Sequence, residues 1–330
     1  MEGIFKHRYV VGTGLTILLC LLVFGAYFYG RGGGNGHIHE MTACHRIYDL
    51  LDLSLDCEKV EDSKGRISNL EAAVTDFISQ SQSEKKASRV AVFYRDLSTR
   101  QWFSVNADSE FYPASLAKLP LAIAYYKVSD LELSIFDQQI PLTVSKEYSN
   151  VGQKISVDSP MEAGAPYSIR RMIEDMLVYS DNRPIGPLLG FMRPDVWKKV
   201  YADLGVRKQS DDGKEEWSVT PRVVALMFRS LYNGSYLDLG SSQELLSVMT
   251  RARYGKGLVA GVDPGVRVAH KFGEATMVEQ DSTLTSVLHD CGIIYKPKNP
   301  YILCVMTEGK DFGALEKVIS DISQIVYKGK

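Results

Sequence analysis

The sequence predicts an α/β (α+β) domain carried behind a single N-terminal transmembrane helix. Three observations predict it: a long uncharged run near the N-terminus, strand-like hairpins at both ends of the remaining chain, and helical periodicity between and after them.

The uncharged run extends from Tyr9 to Tyr29, 21 residues. At about 1.5 Å per helical residue it spans a hydrocarbon core of about 30 Å. Lys6 and Arg8 precede it and only Arg31 closely follows. The positive-inside bias therefore places residues 1–8 in the cytoplasm and the rest outside. The run exceeds a usual signal-peptide core and no Ala-x-Ala site follows, so an uncleaved anchor over 9–29 is expected. Residues 30–65 read as a linker and stalk. They open with Arg31-Gly32-Gly33-Gly34-Asn35-Gly36, and Ile47, Leu50, Leu51 and Leu55 then fall at helical spacing.

A folded domain is expected over 66–330. Leu70, Ala73, Val74, Phe77 and Ile78 recur at spacings of three and four, the pattern of an amphipathic helix. Strand-like runs Arg89 to Tyr94 and Gln101 to Val105 flank the turn residues Asp96-Leu97-Ser98-Thr99. A second hairpin, Cys291 to Tyr295 with Tyr301 to Thr307, precedes a last helix from Phe312 to about Tyr327. The sheet thus draws on both ends of the domain, with helices between.

A net charge of -2 over 330 residues gives no electrostatic reason to expect nucleic acid, whose binding normally needs a clustered basic surface. A small molecule or peptide is the expected partner, and the sequence does not specify an oligomeric state. Of five cysteines, Cys20 lies in the apolar run, leaving Cys44, Cys57, Cys291 and Cys304 on the outer side. There disulfides persist, and four thiols allow three connectivities. Cys291 and Cys304 flank the turn signal Lys296-Pro297-Lys298-Asn299 and would stand opposite in a hairpin; a disulfide and two buried free thiols both fit. His37, His39, Cys44 and His45 match no zinc spacing, so no metal and no cofactor is expected.

Three short motifs carry chemistry. Tyr112-Pro113-Ala114-Ser115-Leu116-Ala117-Lys118 leads into an apolar stretch, Leu121 to Tyr126, read as a buried helix starting near Ser115. A serine hydroxyl is a weak nucleophile that needs a base, and Lys118, within one helical turn, serves if burial lowers its pKa. Tyr179-Ser180-Asp181-Asn182 follows the helical run Ile169 to Val178. His270-Lys271-Phe272-Gly273 follows the strand-like Val266 to Ala269. Singly each is common, a helix cap or a polar turn. Together, in this order, Ser-x-x-Lys, Ser-Asp-Asn and a Lys-x-Gly element form a known catalytic set.

On these motifs the chain, from about residue 66 to its C-terminus, resembles the class A β-lactamase-related serine hydrolases of the penicillin-recognising serine enzyme family. Thr220-Pro221 before the helical Arg222 to Tyr232, and Leu245 to Met249, add to the likeness. The resemblance implies a β-lactamase/transpeptidase-like fold: an antiparallel five-stranded sheet flanked by helices, with an all-helical subdomain over about 126–214. It further implies that Ser115 attacks a carbonyl or lactam to form an acyl-enzyme, that Lys118 handles its proton, and that Ser180 relays a proton to the leaving nitrogen. Lys271 would supply positive charge toward Ser180 and a substrate carboxylate. Asn182, Phe272, Gly273 and Glu274 would contact the substrate, with the backbone N–H groups of Ser115 and Glu274 forming the oxyanion hole.

Two departures qualify the likeness. Phe272 replaces a threonine and removes a hydroxyl from the third motif. Only 39 residues separate Ser180 from Thr220, too few for the family's loop bearing a deacylating glutamate, and Glu215 and Glu216 are read as solvated loop charges. The expectation is a single-pass cell-membrane protein with an extracytoplasmic serine hydrolase domain. It would be acylated by β-lactams or peptidoglycan-type D-alanyl-D-alanine peptides and would deacylate slowly. A D,D-peptidase-like enzyme and a non-catalytic penicillin-binding sensor or scaffold are the alternatives, though residues 1–8 are too short for an independent signalling domain.

Overall fold

The computed structural model describes residues 64–210, 215–278 and 283–330. The apolar run 9–29, the linker, its histidines and Cys20, Cys44 and Cys57 lie outside the described residues. Among the described residues no helix is long and apolar enough to cross a membrane.

Helix α1 (Lys64–Ser83) leads into strands β1 (Arg89–Asp96) and β2 (Trp102–Val105). The C-terminal part supplies β7 (Val268–Val278), β8 (Leu284–Ile294), β9 (Tyr301–Gly309) and the last helix, α8 (Phe312–Gly329). The five strands form one antiparallel sheet in the order β2-β1-β9-β8-β7, so the two ends of the domain meet where β1 pairs with β9. Alternating side chains explain the near-continuous apolar runs. From β1, Val90, Val92 and Tyr94 pack with Leu315, Val318 and Ile322 of α8, while Ala91 and Phe93 join the core of the central helices. A sheet buried on both faces needs apolar residues at every position.

Cys291 and Cys304 stand directly opposite across β8 and β9 and are disulfide-bonded. Lys298 takes a left-handed φ of 65° in the turn that sets this register. Closing a loop of this size removes unfolded-chain entropy equivalent to about 3 kcal/mol.

Between the sheet halves lie α2 (Lys118–Ser129), α3 (Ile169–Val178), α4 (Ile185–Phe191), α5 (Pro194–Asp203), α6 (Pro221–Tyr232) and α7 (Leu239–Met249). Helix α2 is buried on nearly every side, so it forms the axis of this half. Ser168 and Thr220 cap α3 and α6 by accepting the N–H groups of Arg171 and Val223, and Pro221 occupies the first turn of α6. The expected all-helical subdomain is not all helical. It holds two small hairpins, β3 (Gln139–Pro141) with β4 (Pro166–Ser168) and β5 (Arg207–Ser210) with β6 (Glu215–Ser218), and a long irregular connection between β3 and β4. Glu215 and Glu216, read as loop residues, begin β6 because its backbone pairs in register with β5.

The helix expected near Ser115 begins instead with a 3-10 turn, Ala114–Ala117, and becomes α-helical at Lys118. Pro120 lacks the N–H that would close an α-type bond to residue 116, so the turn before it tightens.

Candidate active site

The nucleophile turn is sharply bent and held from several sides. Ala114 adopts φ 48°, a left-handed conformation unusual for a residue with a Cβ. This turns the chain from the Phe111–Val219 bridge into the Ser115 turn. Ser115 is buried to 8% exposure, and the adjacent Lys118 is 3% exposed. Tyr201 of α5 donates its hydroxyl to the Ala117 carbonyl at 2.8 Å. His289 of β8 accepts the Thr307 N–H at Nδ1, 3.2 Å, which leaves Nε2 protonated and donating to the Tyr112 carbonyl at 3.0 Å. Burial pushes His289 down to about 4, so it is neutral near pH 7, as this tautomer requires.

Gly273 explains why β7 approaches so closely. A Cβ at this position would meet the Leu116 nitrogen, the Pro113 carbonyl oxygen and the Ser115 nitrogen, each at 3.0 Å. Only a residue without a side chain lets the strand lie against the nucleophile turn. Strand β7 is the sheet edge, so alternate backbone N–H groups face away from β8 toward the cleft.

Ser180 follows α3 in a left-handed conformation, φ 57°. Its hydroxyl accepts from Lys118 Nζ at 3.1 Å and from Lys271 Nζ at 2.9 Å. Lys118 Nζ also donates to the Ser180 carbonyl, and Lys271 Nζ to the Phe272 carbonyl at 2.6 Å. Asp181 keeps this turn in place: burial pushes its carboxyl up, but hydrogen bonds from Arg183 and Asn150 outweigh that and hold it below the usual range.

Two ammonium groups converging on one hydroxyl do not stay equally charged. Burial lowers Lys118 far below an ordinary lysine, and the charge of Lys271 lowers it further. Lys271, fully buried, is pushed down to about 7, with Asp290 and Glu274 pulling back upward. Lys118 is therefore the neutral partner, with a lone pair for a proton. Lys271 keeps more of the charge.

The predicted residues Ser115, Lys118, Ser180, Lys271 and Gly273 are thus brought together. The side chains of Asn182, Phe272 and Glu274 are each engaged within the protein. Asn182 is half-buried, and its Nδ2 already donates to the Ser149 carbonyl at 2.9 Å. Phe272 does not present its ring to an open cleft: it is 3% exposed, packs against Tyr254 with centroids 4.6 Å apart and the rings tilted by 35°, and its centroid lies 4.1 Å from the Lys271 ammonium. Alternation along β7 turns it away from Gly273 and into the α8 side of the core. The Glu274 carboxylate, on the Phe272 side, accepts the N–H groups of Lys154 and Ile155 at 3.0 and 2.7 Å.

His289, Tyr201 and Asn150 were not found from the sequence. Tyr201 and Asn150 carry no motif. His289 and Asp290 did leave a signal, two titratable residues inside an otherwise apolar stretch, Val287 to Ile294. Asp290 accepts from Leu258 N at 2.9 Å and bonds the buried His270 at 2.8 Å.

Known proteins give the same picture. The model of the beta-lactamase enzyme family matches residues 69–329. The β-lactamase VEB-1 of Pseudomonas aeruginosa is 22% identical over 260 residues, covering 73% of this chain and 85% of that protein. Among solved structures, a β-lactamase from Chitinophaga pinensis superposes with a TM-score of 0.65 at 20% identity, covering 79% of this chain and 98% of its own. A single-residue mutant of PBP-A, as its acyl-enzyme complex with penicillin G, gives a TM-score of 0.65 at 18% identity and covers 79% of this chain and 96% of its own. At these identities the structures speak for the fold, a five-stranded antiparallel sheet flanked by helices. The match over most of the chain and the assembled motifs place this protein in the beta-lactamase enzyme family, as a serine hydrolase.

Proposed function

We propose that the protein is a membrane-anchored serine acyl-enzyme, acylated at Ser115 by β-lactams or D-alanyl-D-alanine-like peptides and slow to release the acyl group. The observation that carries this reading is the convergence of Lys118 and Lys271 on the Ser180 hydroxyl, beside a nucleophile turn touched by Gly273. Neutral Lys118 takes the Ser115 proton as Oγ attacks the carbonyl carbon. The N–H groups of Ser115 and Glu274 receive the developing oxyanion, worth several kcal/mol in such sites. Both lone pairs of Ser180 face lysines, so its own hydrogen is free to pass to the leaving nitrogen as the C–N bond breaks. Lys118 then passes a proton to Ser180 and restores its hydroxyl, so the net transfer is one proton from Ser115 to the leaving nitrogen.

Slow release follows from what the stretch between Ser180 and Thr220 offers. Asp181 is bonded to Arg183, Asp195 to Arg193 and Asp203 to Lys199, so these carboxylates are committed elsewhere. With none of these three described carboxylates placed to activate water, and with Glu215 and Glu216 read from the sequence as solvated charges, the acyl-enzyme accumulates. A chromogenic cephalosporin is expected to give a burst of about one equivalent per protein, followed by little turnover. Sustained turnover without a burst would remove the slow-release claim.

The uncharged run 9–29 supports the anchor, and the excess of Lys6 and Arg8 on its N-terminal side supports an extracytoplasmic domain at the cell membrane. In alkaline carbonate the full chain is expected to stay in the membrane pellet; its release to the supernatant would contradict the anchor.

A further inference from the structure

Residues 148–156 are tied to both walls of the cleft. On the helical wall the Tyr148 ring packs against Gly186, where an added Cβ would meet it at 3.1 Å. The Ser149 carbonyl accepts from Asn182 Nδ2, Asn150 Oδ1 accepts from the Asn182 N–H, and Asn150 Nδ2 donates to Asp181, each at 2.9 Å. Four residues on, the segment is fastened to the sheet wall. There the N–H groups of Lys154 and Ile155 bond the two oxygens of Glu274, and Lys154 Nζ donates to Ser286 Oγ of β8 at 2.8 Å.

The two anchorages differ in kind. The helical one joins several side chains and a packed ring; on the sheet side Lys154 Nζ reaches Ser286 and Phe312 and Ile155 packs on the core, while the backbone of the segment is held to β7 by the single carboxylate of Glu274. Between them Val151 is 91% exposed, and Gly152 sits at φ 88° with nothing within 4 Å of where its Cβ would be. A left-handed glycine in open space is free to change its dihedrals, so it suits a hinge. Beside the segment lies a cavity of about 700 Å³ whose lining includes Lys154, Ile155, Tyr179, Arg253, Tyr254 and Phe312. It abuts the catalytic residues at Tyr179, which precedes Ser180, and at Tyr254, which packs against Phe272.

We propose that residues 148–156 form a strap over the cleft and that Glu274, its clasp, is a specificity-determining residue. Acyl donors with compact side chains reach Ser115 beneath the closed strap, and bulky ones only when the clasp opens. This rests on the acyl-enzyme reading above. The Lys154 and Ile155 side chains also hold the segment, to Ser286 and the core, but the clasp that Glu274 forms is with their backbone N–H groups. Carboxylate acceptors for backbone N–H groups are the stronger class of hydrogen bond, and a bulky donor must displace two of them.

The test compares acylation rates of the full chain by 6-aminopenicillanic acid, which has no acyl side chain, and by piperacillin, which has a large one. Glu274→Ala is expected to raise the piperacillin to 6-aminopenicillanic acid rate ratio about tenfold. Glu274→Gln, which keeps one acceptor oxygen, should fall between. Amide hydrogen exchange at Lys154 and Ile155 should accelerate in step with the ratio. If both donors change by the same factor, or the ratio stays put while exchange accelerates, Glu274 only holds the loop and the specificity role is lost. Should neither donor acylate the unmodified chain or either variant, the acyl-enzyme reading itself fails, and the specificity role with it.

Discussion

Ser115→Ala is expected to yield no covalent adduct when the protein is incubated with penicillin G and weighed intact. The alanine has no oxygen to donate, and the surrounding groups do not replace it. Ser180 is the hydroxyl that the structure bonds to Lys118, but both its lone pairs face lysine nitrogens. Deleting a serine nucleophile lowers turnover on the order of 10⁶-fold where it has been isolated from other effects. The fold should persist. The nucleophile turn is held through the Tyr112 and Ala117 carbonyls and the backbone contact at Gly273, none of which uses the Ser115 hydroxyl. A thermal midpoint within a few degrees of the parent, alongside no adduct, separates lost chemistry from lost structure; an adduct on the variant would place the nucleophile elsewhere.

Lys118→Met is expected to slow acylation by about 10²–10⁴-fold, the range for a removed general base. Methionine matches the length and burial of the lysine but has no lone pair of comparable basicity. Lys118 is the neutral partner, so little repulsion is relieved, and the buried Ser180 carbonyl and hydroxyl lose its donated hydrogen bonds; stability is expected to fall by about 1–3 kcal/mol. The unmodified protein offers a cross-check from the signs of the two shifts. Below the lowered pKa of Lys118 the base becomes protonated, and acylation falls as pH falls. Above about 7 Lys271 loses its charge, and acylation falls as pH rises. In Lys118→Met the acid limb should vanish. Its survival, or an acylation rate equal to the parent's, would take the base role away from Lys118.

Much of this was legible before any coordinates, and the reasons differ by element. Strands β1 and β9 and helices α3 and α8 lie within a few residues of their sequence readings, because each carries an unbroken period of two or 3.6, or is apolar throughout. Strand β8 was read only from Cys291, although it begins at Leu284, since Ser286, His289 and Asp290 interrupt the apolar run. Those polar residues are buried because they serve others: His289 holds the Tyr112 carbonyl, Asp290 holds His270 and the Leu258 N–H, and Ser286 receives Lys154.

The catalytic serines and lysines were found because their chemistry fixes both residue type and spacing. What the motif could not convey was side-chain direction. Phe272 was expected to contact the substrate and Glu274 to offer it a backbone N–H; the two-residue repeat of a strand sends both side chains to the face opposite that of Gly273. There one packs on Tyr254 and the other clasps residues 154 and 155. The left-handed turns at Ala114 and Ser180 were also invisible, because neither residue type favours that conformation, and only the tertiary contacts around them enforce it.

The central claim is that Ser115 becomes acylated and stays so. Time-resolved intact-protein mass spectrometry with penicillin G, followed by peptide mapping, reads both parts together. A single adduct of penicillin mass on the peptide containing Ser115, persisting long after free drug is removed, is the predicted result. An unmodified protein at every time point, or an adduct mapped to a different residue, would contradict it.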